Sequence, residues 1–151
     1  MSGSLKQRLQ HDMQAAMRAK QRERLGTIRL IMAAIKQREV DERIELDDAQ
    51  VIEVLGKMVK QRRDSLDQYQ KAGRQDLADV ESAELLLIED YLPPALAEDE
   101  LKAIIDEVVV TIGAESPRDM GKVMAQLKPR IQGRADMGAV SGMIKARLSG
   151  A

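Results

Sequence analysis

Apolar residues recur every three to four positions along almost the whole chain, the period of an amphipathic α-helix. Ser4 and Gln7 form a capping-box pair ahead of Leu5, Leu9, Met13 and Met17, a stripe with a spacing of four. A second helix is predicted from about Glu23, with Leu25, Ile28, Ile31, Met32 and Ile35 on one face. The polar stretch from Asp41 to Asp48 interrupts the pattern. Asp47 or Asp48 then caps a long third helix whose inner face is Val51, Ile52, Leu55, Met58, Val59, Leu66 and Tyr69. Gly73 fits the C′ position that ends it. A fourth helix runs from Asp76 to about Tyr91, carrying Leu77, Val80, Leu85, Leu87, Ile88 and Tyr91.

Leu92-Pro93-Pro94 breaks the periodicity. Proline removes a donor and restricts the residue before it, so a helix does not pass through this pair. The boundary falls here, giving an N-terminal helical domain over 1–92 and a small tail domain over 93–151. The tail reads as three helices. Its first runs from about Glu98 to Ile112 and stops at Gly113. Ser116-Pro117-Arg118-Asp119 is a start signal, with Ser at N-cap, Pro at N1 and an acid at N3. Met120, Val123, Met124 and Leu127 follow at helical spacing. The last helix begins near Asp136 and buries Val140, Met143, Ile144 and Leu148. The predicted fold is therefore all-α, about four helices followed by three. No internal repeat or low-complexity tract is evident.

Composition supports helices over sheets. The chain has two Tyr, no Phe and no Trp, so its core is built from Leu, Ile, Val, Ala and nine Met. The absence of cysteine excludes disulfides and thiolate chemistry. No apolar run approaches the roughly 20 residues a bilayer span needs, and no membrane partner is expected. The first ten residues hold no apolar signal core, so a cytoplasmic location is expected. The net charge of −1 conceals segregation. Residues 1–73 carry 15 Lys and Arg against 11 acids, residues 74–110 carry 2 against 11, and residues 111–151 carry 7 against 3. The basic end segment is a local electrostatic footprint.

Few chemistries survive inspection. His11, the only histidine, lies in a charge-rich helix and reads as a solvated surface residue. Glu98-Asp99-Glu100 complements a helix dipole better than it suits metal binding. No serine has a histidine partner, no glycine loop cradles phosphate, and no cofactor is expected. An enzyme acting alone is the less favoured class. Base stacking on aromatic platforms is excluded by a repertoire of Tyr69 and Tyr91 alone. The cations Lys57, Lys60, Arg62, Arg63 and Lys71 interleave with Glu53, Asp64 and Asp67, which predicts a solvated, salt-bridged face. The C-terminal cations differ because acids are few there. Gly133-Arg134-Ala135-Asp136 is a turn flanked by Lys122, Lys128 and Arg130 before and by Lys145 and Arg147 after. Neither Lys145 nor Arg147 has an acid at i−4 or i+4. A tight turn delivering a helix N-terminus into cations predicts an anion site, with phosphate as the ligand.

Six ordered blocks carry a family resemblance. Ile28-Arg29-Leu30-Ile31-Met32-Ala33-Ala34-Ile35-Lys36, Lys57-Met58-Val59-Lys60-Gln61-Arg62-Arg63-Asp64-Ser65 and Ala72-Gly73-Arg74-Gln75-Asp76-Leu77-Ala78 lie in the first half. Tyr91-Leu92-Pro93, then Met120-Gly121-Lys122-Val123-Met124 and Gly133-Arg134-Ala135-Asp136, follow. Together they resemble the GatB/YqeY family over nearly the whole chain. The resemblance implies an all-helical domain followed by a helical tail, like the C-terminal part of the B subunit of aspartyl/glutamyl-tRNA amidotransferase. It implies tRNA as partner, contacted through Lys122, Lys128, Arg130, Arg134, Lys145 and Arg147 with Gly133 shaping the turn. The chain lacks the kinase-like cradle of that subunit, so it resembles an accessory module of amidation or aminoacylation. The alternative is a protein-interaction module docking on a synthetase or amidotransferase through the acidic segment from Asp76 to Glu107, or a non-catalytic subunit of such a ligase. Two departures stand out: Ala97 replaces a Ser cap, and Met137 separates Asp136 from Gly138, which is expected to lengthen the turn.

Overall fold

A computed structural model describes residues 4–150. Those residues form seven α-helices and one 3-10 turn, with no strand among them. The chain divides into two compact units, residues 1–93 and 94–151.

The first unit contains α1 (Leu5–Arg18), α2 (Arg22–Glu42), α3 (Asp48–Lys71) and α4 (Gln75–Glu89). Ser4 and Gln7 make the reciprocal cap of α1: the Gln7 amide donates to Ser4 Oγ at 3.2 Å and Ser4 N–H donates to Gln7 Oε1 at 3.0 Å. The apolar spacing of four in α1 rotates about 40° further around the helix at each step. By Met17 that stripe has left the core, and Met17 is exposed while Ala16 is buried. Both acids before α3 are used. Asp47 accepts from the Gln50 amide at 2.9 Å and caps its own helix, whereas Asp48 reaches across to the Leu5 amide at 2.9 Å and caps α1. The core gathers Leu9, Ile28, Ile31, Ile35, Val51, Leu55, Met58, Val59 and Ile88. Val54 belongs to it too, whereas Ile52, Leu66 and Tyr69 are half-buried and Val80 is exposed. Arg62 and Arg63 reach from α3 to Glu84 and Glu89 of α4, each at 3.1 Å.

Gly73, at φ +70°, closes α3 with the paired bonds Arg74 N–H to Tyr69 C=O and Gly73 N–H to Gln70 C=O. Past α4, Tyr91 turns back into the unit and is buried, its hydroxyl donating to Asp12 Oδ2 at 2.6 Å. The Arg8 guanidinium lies 4.5 Å from the Tyr91 ring centre. Burial and the Asp12 carboxylate together push the Tyr91 phenol up to about 12. Burial works to raise Asp12, but the hydrogen bonds from Tyr91 and His11 and the charges of Arg24 and Arg8 hold it below the usual carboxylate range.

The second unit contains α5 (Glu98–Ile112), α6 (Met120–Ile131) and α7 (Met137–Leu148) around a core of Leu101, Ile105, Val108, Val109, Val123, Leu127, Ile131, Val140, Ile144 and Leu148. Ala97 cannot accept a hydrogen bond from its side chain, and Glu100 compensates by taking the Ala97 N–H at 3.2 Å. Pro117–Asp119 is a 3-10 turn leading into α6. Asp119 organises it by accepting from Glu115 N–H at 2.9 Å and Ser116 N–H at 3.4 Å. Those two amides hold its carboxyl below the usual range.

Candidate nucleic-acid interface

The turn between α6 and α7 is built from its dihedral angles outward. Gly133 takes φ +77°, a conformation that disfavours any residue with a Cβ. This lets Arg134 N–H return to Ile131 C=O at 2.8 Å. The Arg134 carbonyl accepts from Leu96 N–H at 2.8 Å, and its Nε donates to the Pro94 carbonyl at 3.1 Å. Arg134 therefore clamps the 94–96 segment to the turn. Asp136 accepts from Ala139 N–H at 3.2 Å, so a carboxylate already occupies the N-terminus of α7. A phosphate placed there would meet a negative charge. The turn's own Asp136 thus takes the capping role at this helix end. Met137 is the first residue of α7, inside the helix, and does not lengthen the turn.

The remaining candidates separate into two groups. Arg130 of α6 pairs with Glu107 at 3.2 Å, and Arg147 of α7 pairs with Asp106 at 3.0 Å. Both acids are on α5, adjacent in sequence, and each neutralises one arginine. Lys122, Lys128 and Lys145 are exposed, and none forms an ion pair within 4 Å among the described residues. The set of seven thus resolves into three available lysines, two neutralised arginines, one architectural arginine and one architectural glycine. The unit as a whole is balanced rather than basic: from Pro94 to Ala151 it holds eight Lys and Arg against eight Asp and Glu.

The two helices share a sequence pattern that helical periodicity alone conceals. Val123-x-x-x-Leu127-Lys128-x-Arg130-Ile131 and Val140-x-x-x-Ile144-Lys145-x-Arg147-Leu148 place like residues at like positions. In both, the Val, the Leu or Ile and the final Ile or Leu are buried core residues. In both, the arginine precedes the last core residue and turns to α5, while the lysine follows the middle one on the opposite flank. The two helices share this register of core, lysine and arginine positions without forming a repeat of structural units. Alignment of the two helices on their buried positions is the signal that reveals it.

These features define an all-helical protein of two compact units whose second unit repeats one cationic helix pattern. The chain belongs to the Yqey-like protein family, which matches residues 6–148. It is 33% identical over 149 residues to a protein of Clavispora lusitaniae named altered inheritance of mitochondria protein 41, mitochondrial, covering 97% of this chain and 86% of that one. The Kluyveromyces lactis protein of the same name is 30% identical over 141 residues, with 91% and 72% covered. That of Eremothecium gossypii is 38% identical over 126 residues, with 79% and 67% covered. The expectation of a cytoplasmic location is overturned by these relatives, which are named as mitochondrial proteins. Its basis was the lack of an apolar signal core, and mitochondrial targeting uses amphipathic, arginine-rich segments that such a test does not see.

Proposed function

We propose that the chain is a tRNA-binding accessory module that assists tRNA-dependent amidation or aminoacylation without performing the chemistry. The observation that carries this is the repeated lysine of α6 and α7. Lys128 and Lys145 hold the same helical register, are exposed, and have no carboxylate partner among the described residues. Ammonium groups so placed neutralise phosphates without reading bases, which suits recognition of a folded RNA by its backbone. Lys122 extends the set on α6. The membership of the family and the resemblance to the amidotransferase tail support tRNA as the RNA.

Binding of unfractionated tRNA at two ionic strengths, by the intact protein and by Lys128→Ala/Lys145→Ala, tests the assignment. The double variant is expected to bind more weakly at low salt and to lose about two from the slope of log affinity against log salt. Identical curves for the two proteins would remove the tail lysines from the interface.

A second function is favoured by one observation: α4 is acidic and leaves Val80 and Leu86 at 53% and 67% exposure. A protein partner such as a synthetase or amidotransferase would cover them. Co-elution with a purified partner that persists after nuclease treatment and is abolished by Leu86→Glu supports this; co-elution lost with the RNA argues against it.

A further inference from the structure

A stretch of the chain dense in unbalanced cations lies outside the tail. Between Asp12 and Glu39 there is one acid, Glu23, against seven Lys and Arg. Segment totals hide it because the acids from Asp41 to Glu53 follow directly. Three of the seven are occupied: Arg24 lies 3.9 Å from Asp12, Arg29 Nη2 contacts Met17 Sδ at 3.8 Å, and Arg38 pairs with Glu42 at 2.6 Å and Glu53 at 3.0 Å. Arg18, Lys20 and Arg22 are different. They alternate across the turn joining α1 to α2, are all exposed, and form no ion pair or side-chain hydrogen bond among the described residues.

The backbone of this turn adds to the case. Lys20 sits in the left-handed region at φ +57°, with Gln21 N–H bonded to Ala16 C=O and Lys20 N–H to Met17 C=O. This is the helix-closing arrangement that α3 makes with Gly73. At α1 the strained position is filled by a cation, at the centre of the unpaired cluster.

We infer that the α1–α2 corner, through Arg18, Lys20 and Arg22, is a second docking surface for the phosphate backbone of a folded RNA. Two arginines flanking a lysine offer forked donors for phosphate oxygens around a point charge. An anionic membrane is the weaker fit. Interfacial helices anchor with Trp, Phe or Leu on a continuous face, and this chain has no Trp or Phe. The inference takes from the proposed function only the identity of the polyanion; the surface itself stands on unit 1 alone.

The test titrates unfractionated tRNA, and separately phosphatidylserine vesicles, with the full chain and three variants: Arg18→Ala/Arg22→Ala, Lys20→Gly and Lys128→Ala/Lys145→Ala. The corner double variant is expected to bind tRNA on the order of tenfold more weakly at low salt, with the salt slope reduced by about two. Lys20→Gly is expected to weaken binding while raising Tm, which separates lost contact from lost fold. If the corner variants weaken binding and the tail variant does not, this surface stands and the tail assignment fails. If only the tail variant weakens it, this surface is overturned and the tail assignment stands. Unchanged tRNA affinity with lost vesicle binding, or no tRNA binding by the intact chain, overturns it as well.

Discussion

Lys20 and Gly73 answer the same geometric demand with different residues. Each is at positive φ just past a helix, and only glycine is there without a steric cost. Lys20→Gly is therefore expected to stabilise the first unit by about 0.5–1 kcal/mol, measurable as a raised denaturant midpoint with unchanged m. Gly133→Ala runs the other way, and about 1 kcal/mol of destabilisation is expected in the second unit. A second residue-scale prediction concerns Tyr91. Its phenol is raised to about 12 in the folded chain and titrates near 10 when unfolded, so folding favours the neutral form. Stability should hold below pH 10, decline between pH 10 and about 12, and level off above that. Tyr91→Phe should abolish this decline. At neutral pH it should cost about 1–2 kcal/mol, because the Asp12 carboxylate loses its shortest hydrogen bond. An alkaline unfolding series on both proteins checks it. Asp12, held low, has the opposite sign: its contribution is present above the unfolded carboxylate range and fades as acid brings the pH down through its folded value.

Among the elements, α5 sets how much positive charge α6 and α7 can offer. Asp106→Asn/Glu107→Gln frees Arg130 and Arg147 while keeping side-chain shape, and exposed pairs of this kind contribute little to stability. The variant is expected to bind tRNA several-fold more tightly at low salt with nearly unchanged Tm; equal or weaker binding would show that this face does not meet RNA. Helices were legible in the sequence wherever periodicity and a local cap coincide. Ser4 with Gln7, Asp47 with Gln50, and Gly113 all act within four residues of what they cap. Longer reach defeated the same logic. Asp48 caps a helix 43 residues away, and Glu107 and Asp106 lie 23 and 41 residues from the arginines they neutralise. Arg147 has no acid at i±4, and its partner Asp106 lies far outside that window. Val80 fails differently: it obeys the helical spacing of α4, yet the narrow buried face of that helix centres on Ala78 and Ile88.

At the scale of the molecule, charge is distributed by surface rather than by segment. The first unit, residues 1–93, holds 16 Lys and Arg against 17 acids, and the second is balanced, so neither is basic as a body. What each offers is a few exposed cations with no ion pair within 4 Å among the described residues: Arg18, Lys20 and Arg22 in one, Lys122, Lys128 and Lys145 in the other. A nearly neutral protein with such groups should bind RNA with modest affinity and a moderate salt slope. Strongly basic proteins approach RNA at long range, whereas a nearly neutral one is expected to engage it only on close approach. The described residues form a helical protein of the Yqey-like family, and relatives that match most of the chain are named as mitochondrial proteins.

The central claim is that these lysines and arginines meet phosphate. The salt dependence of tRNA binding by the intact chain tests it most directly. A linear fall of log affinity with log salt, with a slope corresponding to about three to six released counterions, is the predicted result. A flat dependence, or no tRNA binding at low salt, would contradict it.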